Sequence, residues 1–375
     1  MQVAEPESSR LETVAALKRS QLEAVAEHRD RLRKSPHLRW LFFEITDRCN
    51  LECRHCGSSC TAEGRYLTAD DIRRTLETIG PDKPTICLTG GEPLLHPDFF
   101  AIAECIRDMG FAWGMTTNAT LIDDEAAAKL RHAGMSTVSV SLDGMEKTHD
   151  QLRQRKGAWK NAIRGIRALR DAGFSPQVTT VLHRDNYAEL DSLYELLRDM
   201  GITSWRPINV EPIGRACESG DMMLSPQQFA GLMTYIRDKR FDPGNDMEVT
   251  FGCSHYLGTE YERMVRDHYF LCGAGILTAS VRSNGDICAC LDIENRPELV
   301  QGNIRTDDFM DVWNNRFGEF RRDRTEDCSI CRECTERTVC GGDSTHTWDF
   351  DNRRPLLCYR DFRNQLDHEY RHAEI

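Results

Sequence analysis

Three cysteines lie close together in the segment EITDRCNLECRHCGSSC. Cys49, Cys53 and Cys56 have the spacing C-x3-C-x2-C, which places three thiolates in one compact loop. Thiolates bind zinc or iron–sulfur clusters, and the spacing and its context distinguish the two. Three ligands would leave one iron of a four-iron cluster open to a small molecule. A zinc site would need a fourth ligand, for which Cys60 or His55 is available.

The overall composition favours metal ligation for the cysteines. The chain has 375 residues, 16 of them cysteine, and a formal net charge of -12 at pH 7. Its amino-terminal stretch is polar, and no apolar run approaches the roughly 20 residues of a membrane span, so we expect a soluble cytoplasmic protein. Disulfides are rare in that compartment. The acidic charge provides no basic surface for nucleic acid or an anionic membrane, and we expect neither as a partner.

The elements that position these cysteines alternate between strands and helices. Six short runs have the β-branched or aromatic character of strands: WLFFEIT, TICLTG, FAWGMTT, STVSVSL, QVTTVLH and ITSWRPINV. Helical patterns lie between them, at 70–79, 98–109, 124–133, 158–172 and 188–200. This alternation predicts an α/β fold with a partial (β/α)6 barrel. Functional groups should then gather at the carboxyl ends of the strands.

Changes in sequence character predict three parts of the chain. A charged amphipathic helix dominates the amino-terminal segment 1–36, and the barrel covers 37–245. Strand–helix alternation then stops, and the remainder, 246–375, is predicted to be a smaller cysteine-rich domain. Its clearest element is the hairpin TASVRSNGDICACLDI, where Asn284 and Gly285 are expected to be the two positive-φ residues of a tight turn.

The cysteine triplet after the first strand resembles the signature of the radical S-adenosylmethionine (SAM) superfamily. The resemblance implies that Cys49, Cys53 and Cys56 hold a 4Fe–4S cluster whose open iron binds the amino and carboxylate groups of SAM. An electron from the cluster then cleaves SAM to a 5′-deoxyadenosyl radical, which abstracts a substrate hydrogen. A donor such as flavodoxin or ferredoxin would reduce the cluster. His55 stands where the family usually has an aromatic residue near the adenine.

Further motifs extend the resemblance along the barrel. Gly90, Gly91 and Glu92 resemble the segment that accepts hydrogen bonds from the ammonium group of SAM, and glycine permits close approach. Ser141 resembles a polar residue that contacts SAM. Arg153 resembles the arginine that pairs with the SAM carboxylate, although a solvated helix charge is the alternative for it.

Two other segments bear on the same resemblance. The sequence TTNAT departs from the Thr-Asn-Gly usual in the family, which weakens any role for Asn118. The segment Pro212-Ile213-Gly214-Arg215 resembles the one whose backbone flanks the adenine.

The carboxy-terminal third resembles the SPASM extension, which holds auxiliary iron–sulfur clusters. The resemblance implies one complete ligand set and one incomplete set. The complete set is Cys331, Cys334, Cys340 and Cys358. The incomplete set has Cys272, Cys290 and Cys253, with Gly285 at the expected intermediate position. Ser344, beside Asp343, stands where the fourth cysteine is expected.

The incomplete set leaves several possibilities open. An oxygen ligand such as Asp343, or a spare thiol such as Cys288 or Cys328, could complete it, or one iron could remain open to substrate. The site could also be vestigial or a small zinc clip. We therefore expect one or two auxiliary clusters, with two favoured by the spacing.

The family resemblance suggests a peptide maturase. The carboxy-terminal extension, the CGSSC loop and the chain length are similar to those of enzymes that crosslink, epimerise or oxidise ribosomally made peptides, so a peptide is the expected substrate. The alternatives are protein dehydrogenation, as in anaerobic sulfatase maturases, and oxidation of a sugar or tetrapyrrole. A protein that only stores clusters would not need the Gly-Gly-Glu and Arg153 contacts to SAM.

We predict that the reduced, anaerobically reconstituted protein cleaves SAM to 5′-deoxyadenosine without substrate, because an open-iron cluster can pass its electron to the sulfonium. Replacing Cys49, Cys53 and Cys56 with alanine should abolish the product in a chromatographic assay. Cleavage by the triple variant at the parental rate would contradict the assignment of these cysteines.

Overall fold

The computed structural model describes residues 7–58, 60, 64–218, 222–252 and 255–364, with side chains of the first helix described from residue 16. Twelve strands lie in these ranges. They are β1 Trp40–Thr46, β2 Thr85–Gly90, β3 Trp113–Thr117, β4 Thr137–Ser141, β5 Gln177–Leu182, β6 Ser204–Asn209, β7 Glu248–Val249, β8 Thr278–Val281, β9 Asp286–Cys288, β10 Gly302–Asn303, β11 Trp348–Asp349 and β12 Arg354–Pro355.

Thirteen α-helices lie in the same ranges. They are α1 Glu7–Lys34, α2 Ala69–Glu77, α3 Phe99–Asp108, α4 Asp124–His132, α5 Glu146–Arg153, α6 Ala158–Asp171, α7 Leu190–Asp199, α8 Pro226–Phe241, α9 Gly258–Tyr261, α10 Phe309–Asn315, α11 Gly318–Arg321, α12 Ser329–Arg332 and α13 Arg337–Cys340. Short 3-10 helices span Pro93–Leu95, Tyr187–Glu189, Gly214–Cys217, Pro297–Leu299 and Arg324–Glu326. None of the helices in the described ranges is long and apolar enough to cross a lipid bilayer.

Strands β1 to β6 form the predicted partial barrel. They are neighbours in chain order, and every neighbouring pair among them is parallel. Helices connect them on the outside, and alternate residues of β1 face the core, with Leu41, Phe43 and Ile45 fully buried. The α/β partial-barrel prediction is therefore confirmed, and the carboxyl ends of these strands meet at one edge.

Helices α5 and α8 lie outside the helical patterns predicted from the sequence. Helix α5, EKTHDQLR, is mostly polar, and it ends at Gln154 in a left-handed conformation. Helix α8 begins at a capping box, in which Ser225 accepts from the Gln228 backbone and the Gln228 side chain accepts from the Ser225 backbone. That capping box was the available sequence signal for α8.

The carboxy-terminal hairpin continues the barrel sheet. Strand β8 pairs in parallel with β1, and β9 and β10 follow it, giving the order β10-β9-β8-β1-β2-β3-β4-β5-β6-β7. The hairpin's apolar side chains, including Val281 and Ile287, belong to the same core as the barrel. The domain boundaries given above remain a prediction.

The turn of this hairpin differs from the expected one. Gly285 has a φ of 92°, whereas Asn284 is absent from the described non-glycine residues with positive φ. The Gly285 amide donates to the Arg282 carbonyl at 2.8 Å, so the turn spans four residues and needs a left-handed conformation only at its end.

Candidate active site at the carboxyl edge of the barrel

The cysteine loop leaves β1 at the carboxyl edge of the barrel. Cys53 is buried with Leu51 and Ala158, and Cys49 and Cys56 pack against the same cluster. The Arg54 amide donates to the Leu152 carbonyl at 2.9 Å, which ties the loop to the end of α5. The three predicted cluster ligands therefore share one anchored loop.

A fourth thiol accompanies the triplet. Cys60 is within hydrogen-bonding range of both Cys49 and Cys56, and this contact lowers the pKa of Cys56 to about 6. No three Cys, His, Asp or Glu side chains of the described residues converge closely enough for a single metal ion. The thiolates of the triplet instead line a cavity at the end of β1 and β2.

The Gly-Gly-Glu segment lies directly against the base of the cysteine loop. The Gly91 amide donates to the Thr46 carbonyl at 2.8 Å, and the Glu92 amide donates to the Arg48 carbonyl at 2.9 Å. A Cβ atom at Gly90 would lie 2.2 Å from the Thr46 oxygen, and one at Gly91 would lie 2.3 Å from the Arg48 oxygen. Only glycine permits this approach.

The segment after β6 holds the other side of the loop in the same way. The Arg215 amide donates to the Cys56 carbonyl at 3.1 Å. Gly214 has a φ of 53°, and a Cβ atom there would lie 2.5 Å from the Cys56 oxygen. Ile213 lies beside Gly57. The cysteine loop is thus held between backbone segments from β2 and β6.

Glu92 faces into the protein. Its carboxylate accepts from the Thr117 hydroxyl at 2.7 Å and from the Asn118 amide at 2.8 Å, and the side chain is fully buried. Burial raises the pKa of Glu92 to about 6, although these hydrogen bonds act to lower it. Glu92 therefore orders the loop after β3, and its contact with SAM remains a prediction.

The TTNAT loop keeps a left-handed residue where the family usually has glycine. Ala119 has a φ of 56° and packs against Gly165, where a Cβ atom would lie 2.3 Å from the Ala119 oxygen. The Asn118 side chain donates to Asn50 of the cysteine loop at 2.9 Å and accepts from Thr120. Asn118 consequently connects two loops of the site. The departure of TTNAT from the usual family motif had argued against a role for this residue.

Arg153 forms a buried ion pair with Asp143. Its Nε lies 2.7 Å from Asp143 Oδ2, its Nη1 lies 3.7 Å from Cys53 Sγ, and only 7% of the residue is exposed. Such burial does not fit the alternative of a solvated charge. Burial acts to raise the pKa of Asp143, but the guanidinium outweighs it and lowers this pKa to about 2. His55 Nε2 lies 3.6 Å from the same carboxylate, and burial lowers the pKa of His55 to about 4.

One cavity of about 320 Å³ joins these features. The predicted residues Cys49, Cys53, Cys56, Gly90, Gly91, Ser141 and Arg153 line it. Four buried polar atoms of its lining have no hydrogen-bond partner within the described ranges: His55 Nδ1, Asn209 Oδ1, Glu211 Oε1 and Arg215 Nε. Unsatisfied buried polar atoms favour a polar ligand. Three thiolates, a glycine cradle and these atoms fit a cluster with bound SAM.

A second buried ion pair joins the cavity to the carboxy-terminal region. Glu211, which follows β6, lies 2.9 Å from His346 Nε2 and 3.6 Å from His255 Nδ1. Burial acts to lower the pKa of His346, but Glu211 outweighs it and raises this pKa to about 10. Burial likewise acts to raise the pKa of Glu211, and the His346 charge lowers it to about 2. The sequence alone does not identify this pair, because neither Glu211 nor His346 belongs to a motif with metal-ligand spacing.

The complete auxiliary set is brought together. All four of its cysteines line one cavity of about 220 Å³: Cys331, Cys334, Cys340 and Cys358. The spare Cys328 caps α12, where its sulfur accepts from the Cys331 amide at 3.4 Å. Four thiolates around one cavity fit a fully ligated cluster.

Two cysteines of the incomplete set, Cys272 and Cys290, lie in the described residues. Cys272 Sγ lies 3.2 Å from Thr345 Oγ1, and Cys290 Sγ lies 3.7 Å from Asp292 Oδ2. Cys253 lies outside the described residues. The Asp343 carboxylate accepts from the Tyr256 and Ser344 amides. Asp343 is thus already hydrogen-bonded, and the number of auxiliary clusters remains a prediction.

Fold and site together define a class of enzyme: a partial barrel that holds three thiolates at its carboxyl edge, followed by a cysteine-rich cluster-binding region. The sequence profile of the radical SAM superfamily matches residues 43–197, and that of an iron–sulfur cluster-binding domain, SPASM, matches residues 272–335. The chain belongs to the radical SAM superfamily and is a SPASM-type enzyme. Its cofactors are SAM and iron–sulfur clusters.

Similar proteins extend over most of the chain. An AdoMet-dependent heme synthase of Methanosarcina barkeri is 30% identical over 350 residues, which are 86% of this chain and 97% of that protein. An Fe-coproporphyrin III synthase of the same organism is 34% identical over 82% of this chain and 83% of its own length. The crystal structure of Streptococcus suis SuiB bound to SAM has a TM-score of 0.66 at 19% identity, covering 82% of this chain and 73% of SuiB. The likeness to SuiB shows the fold alone.

The peptide-maturase interpretation is wrong. The heme and coproporphyrin synthases match more of the chain than the mycofactocin maturase of Mycolicibacterium smegmatis, which is 26% identical over 80% of it. The cysteine motifs and the extension are patterns for cofactor binding, and the chain is similar over most of its length to heme synthases and to a mycofactocin maturase alike. Motifs of that kind identify the radical chemistry and leave the substrate undetermined.

We predict that Arg153→Gln weakens SAM binding roughly tenfold to a hundredfold, because it removes a charge-assisted hydrogen bond to the SAM carboxylate. Asp143→Asn is the matched control, since it breaks the same buried pair but keeps the guanidinium. Equilibrium dialysis at equal iron content compares the two. An equal loss of SAM affinity in both variants would mean that the Arg153–Asp143 pair stabilises the site and that Arg153 makes no contact of its own to SAM.

We predict that the variant lacking Cys49, Cys53 and Cys56 retains about eight irons per chain if two auxiliary four-iron clusters bind, and about four if one binds. Adding Cys334→Ala should remove about four of them, because it breaks the complete ligand set. Iron and sulfide analysis measures both quantities. Retention of the full iron content after Cys334→Ala would contradict the assignment of this set.

Proposed function

We propose that this protein is a radical SAM enzyme that modifies a tetrapyrrole of the heme type. The observation that carries the proposal is the similarity to an AdoMet-dependent heme synthase over 97% of that protein's length. The similarity to an Fe-coproporphyrin III synthase, at 34% identity, supports the same substrate class. Similarity over both the barrel and the cluster-binding region favours a shared type of reaction.

The lining of the cavity is consistent with such a substrate. Beyond the cofactor-binding residues, apolar side chains line it at the ends of β5 and β6, namely Val181, Ile208, Val210 and Ile213. Arg215 adds a cation to the same lining. A tetrapyrrole is a flat apolar macrocycle with acidic side chains, so apolar walls and a cation match its two parts.

The residues of the site have separable tasks. When bound, the cluster and SAM supply a carbon radical that removes a hydrogen atom from the substrate. Cys49, Cys53 and Cys56 would hold the cluster, and Gly90 and Gly91 let their segment pack against the base of the cysteine loop. Ser141 and Arg153 are the predicted contacts to SAM.

Oxidation of the substrate needs a place for one further electron. Loss of a hydrogen atom leaves a carbon radical on the substrate, and conversion to a stable oxidised product releases one electron together with a proton or, where a carboxylate is lost, carbon dioxide. Cys331, Cys334, Cys340 and Cys358 would hold the cluster that accepts it. A low-potential donor such as flavodoxin or ferredoxin would supply the electron that starts each turnover.

We predict that Fe-coproporphyrin III increases formation of 5′-deoxyadenosine by the reduced holoenzyme, and that the tetrapyrrole mass decreases in the same reaction, because hydrogen abstraction begins its modification. Chromatography with mass spectrometry follows both products. The triple alanine variant of the cluster loop is the control. An unchanged tetrapyrrole, with 5′-deoxyadenosine formed at the rate seen without it, would contradict this substrate class.

A further inference from the structure

The charged side chains of the active-site cavity are almost all paired. Arg153 is matched by Asp143 at 2.7 Å, and Glu211 is matched by His346 at 2.9 Å. Asp292, also in the lining, accepts from the Cys290 thiol at 3.7 Å. Each of these groups therefore has a partner within the protein.

Arg215, also in the lining of this cavity, has no such carboxylate or histidine partner among the described residues. Within the described ranges its guanidinium forms no ion pair with a carboxylate, and its buried Nε has no hydrogen-bond partner. The side chain lines the cavity and is only partly exposed. Besides the contact with Cys60, its charge helps to lower the pKa of the Cys56 thiol. Without a carboxylate beside it, a partly buried guanidinium is still costly, and a bound carboxylate would reduce that cost.

The position of Arg215 is set by the backbone. Its amide donates to the Cys56 carbonyl at 3.1 Å, and Gly214 before it approaches the same carbonyl too closely for a side chain. Ile213 packs beside Gly57 on the other side. These contacts hold the start of the 3-10 helix Gly214–Cys217 against the cysteine loop, so the guanidinium has a defined place beside the reactive end of the cavity.

We propose that Arg215 is a carboxylate-binding residue of the cavity. Its planar fork matches a carboxylate in two parallel hydrogen bonds. The apolar side chains of Val181, Ile208 and Val210 share the cavity lining, which suits a ligand with an apolar body and an acidic edge. This inference rests on the proposed function, in which the ligand is an acidic side chain of the tetrapyrrole. SAM carries a carboxylate too, and the experiment distinguishes the two sources.

The test compares the anaerobic holoenzyme with Arg215→Gln, Arg215→Lys and the matched control Arg167→Gln, which changes an exposed arginine of α6. Iron content confirms that each variant holds its clusters. Equilibrium dialysis measures the affinity for SAM. Absorbance titration measures the affinity for Fe-coproporphyrin III and for its methyl ester, which lacks the carboxylates.

We expect Arg215→Gln to weaken binding of Fe-coproporphyrin III roughly tenfold to a hundredfold, with a smaller loss for Arg215→Lys, because lysine keeps the charge without the fork. The methyl ester should bind parent and variant alike, and the control should match the parent. A loss confined to SAM would support carboxylate binding and identify SAM as the source.

If the parent enzyme binds Fe-coproporphyrin III, unchanged affinities for this ligand and for SAM in Arg215→Gln would overturn the proposal. A parent enzyme that does not bind Fe-coproporphyrin III would count against the proposed function instead. In that case the SAM titration alone decides the role of Arg215. The two failures are therefore distinguishable.

Discussion

The active site depends on backbone contacts that are too close for any side chain. Gly91 meets the carbonyl of Arg48 at the start of the cysteine loop, and Gly214 meets the carbonyl of Cys56 at its end. These contacts join the ends of β1, β2 and β6, which lie far apart in the chain. Because a barrel brings the carboxyl ends of its strands together, three loops can hold one another without large side chains between them. The thiolates obtain their positions from this packing.

Two buried ion pairs organise the charge around that loop. Asp143 and Arg153 connect β4 with the end of α5 beside Cys53, and Glu211 and His346 connect β6 with the carboxy-terminal region. A buried pair gains little net stability after desolvation, but losing one partner leaves a buried charge and is strongly destabilising. Such pairs restrict the ways in which the loops can pack.

The carboxy-terminal region is structurally continuous with the barrel. Strand β8 extends the sheet beside β1, the same strand that leads into the cysteine loop. The segment CGGDSTHTW contacts both sides, since Thr345 lies against Cys272 and His346 against Glu211. A cluster held by Cys272 would therefore be linked to the radical site through two adjacent residues.

The sequence alone determined the partial barrel and the triplet of Cys49, Cys53 and Cys56, because strand–helix alternation and ligand spacing are local properties of the chain. The need for SAM came from the resemblance of that triplet to the radical SAM signature. Only the tertiary structure decided that Arg153 pairs with Asp143, that Glu92 faces inward and that Arg215 lines the cavity unpaired. Those outcomes depend on contacts between distant loops, and a side chain's partner is set by how those loops pack. The cofactor motifs likewise do not determine the substrate class, because the cavity wall that would contact a substrate is assembled from the ends of several strands.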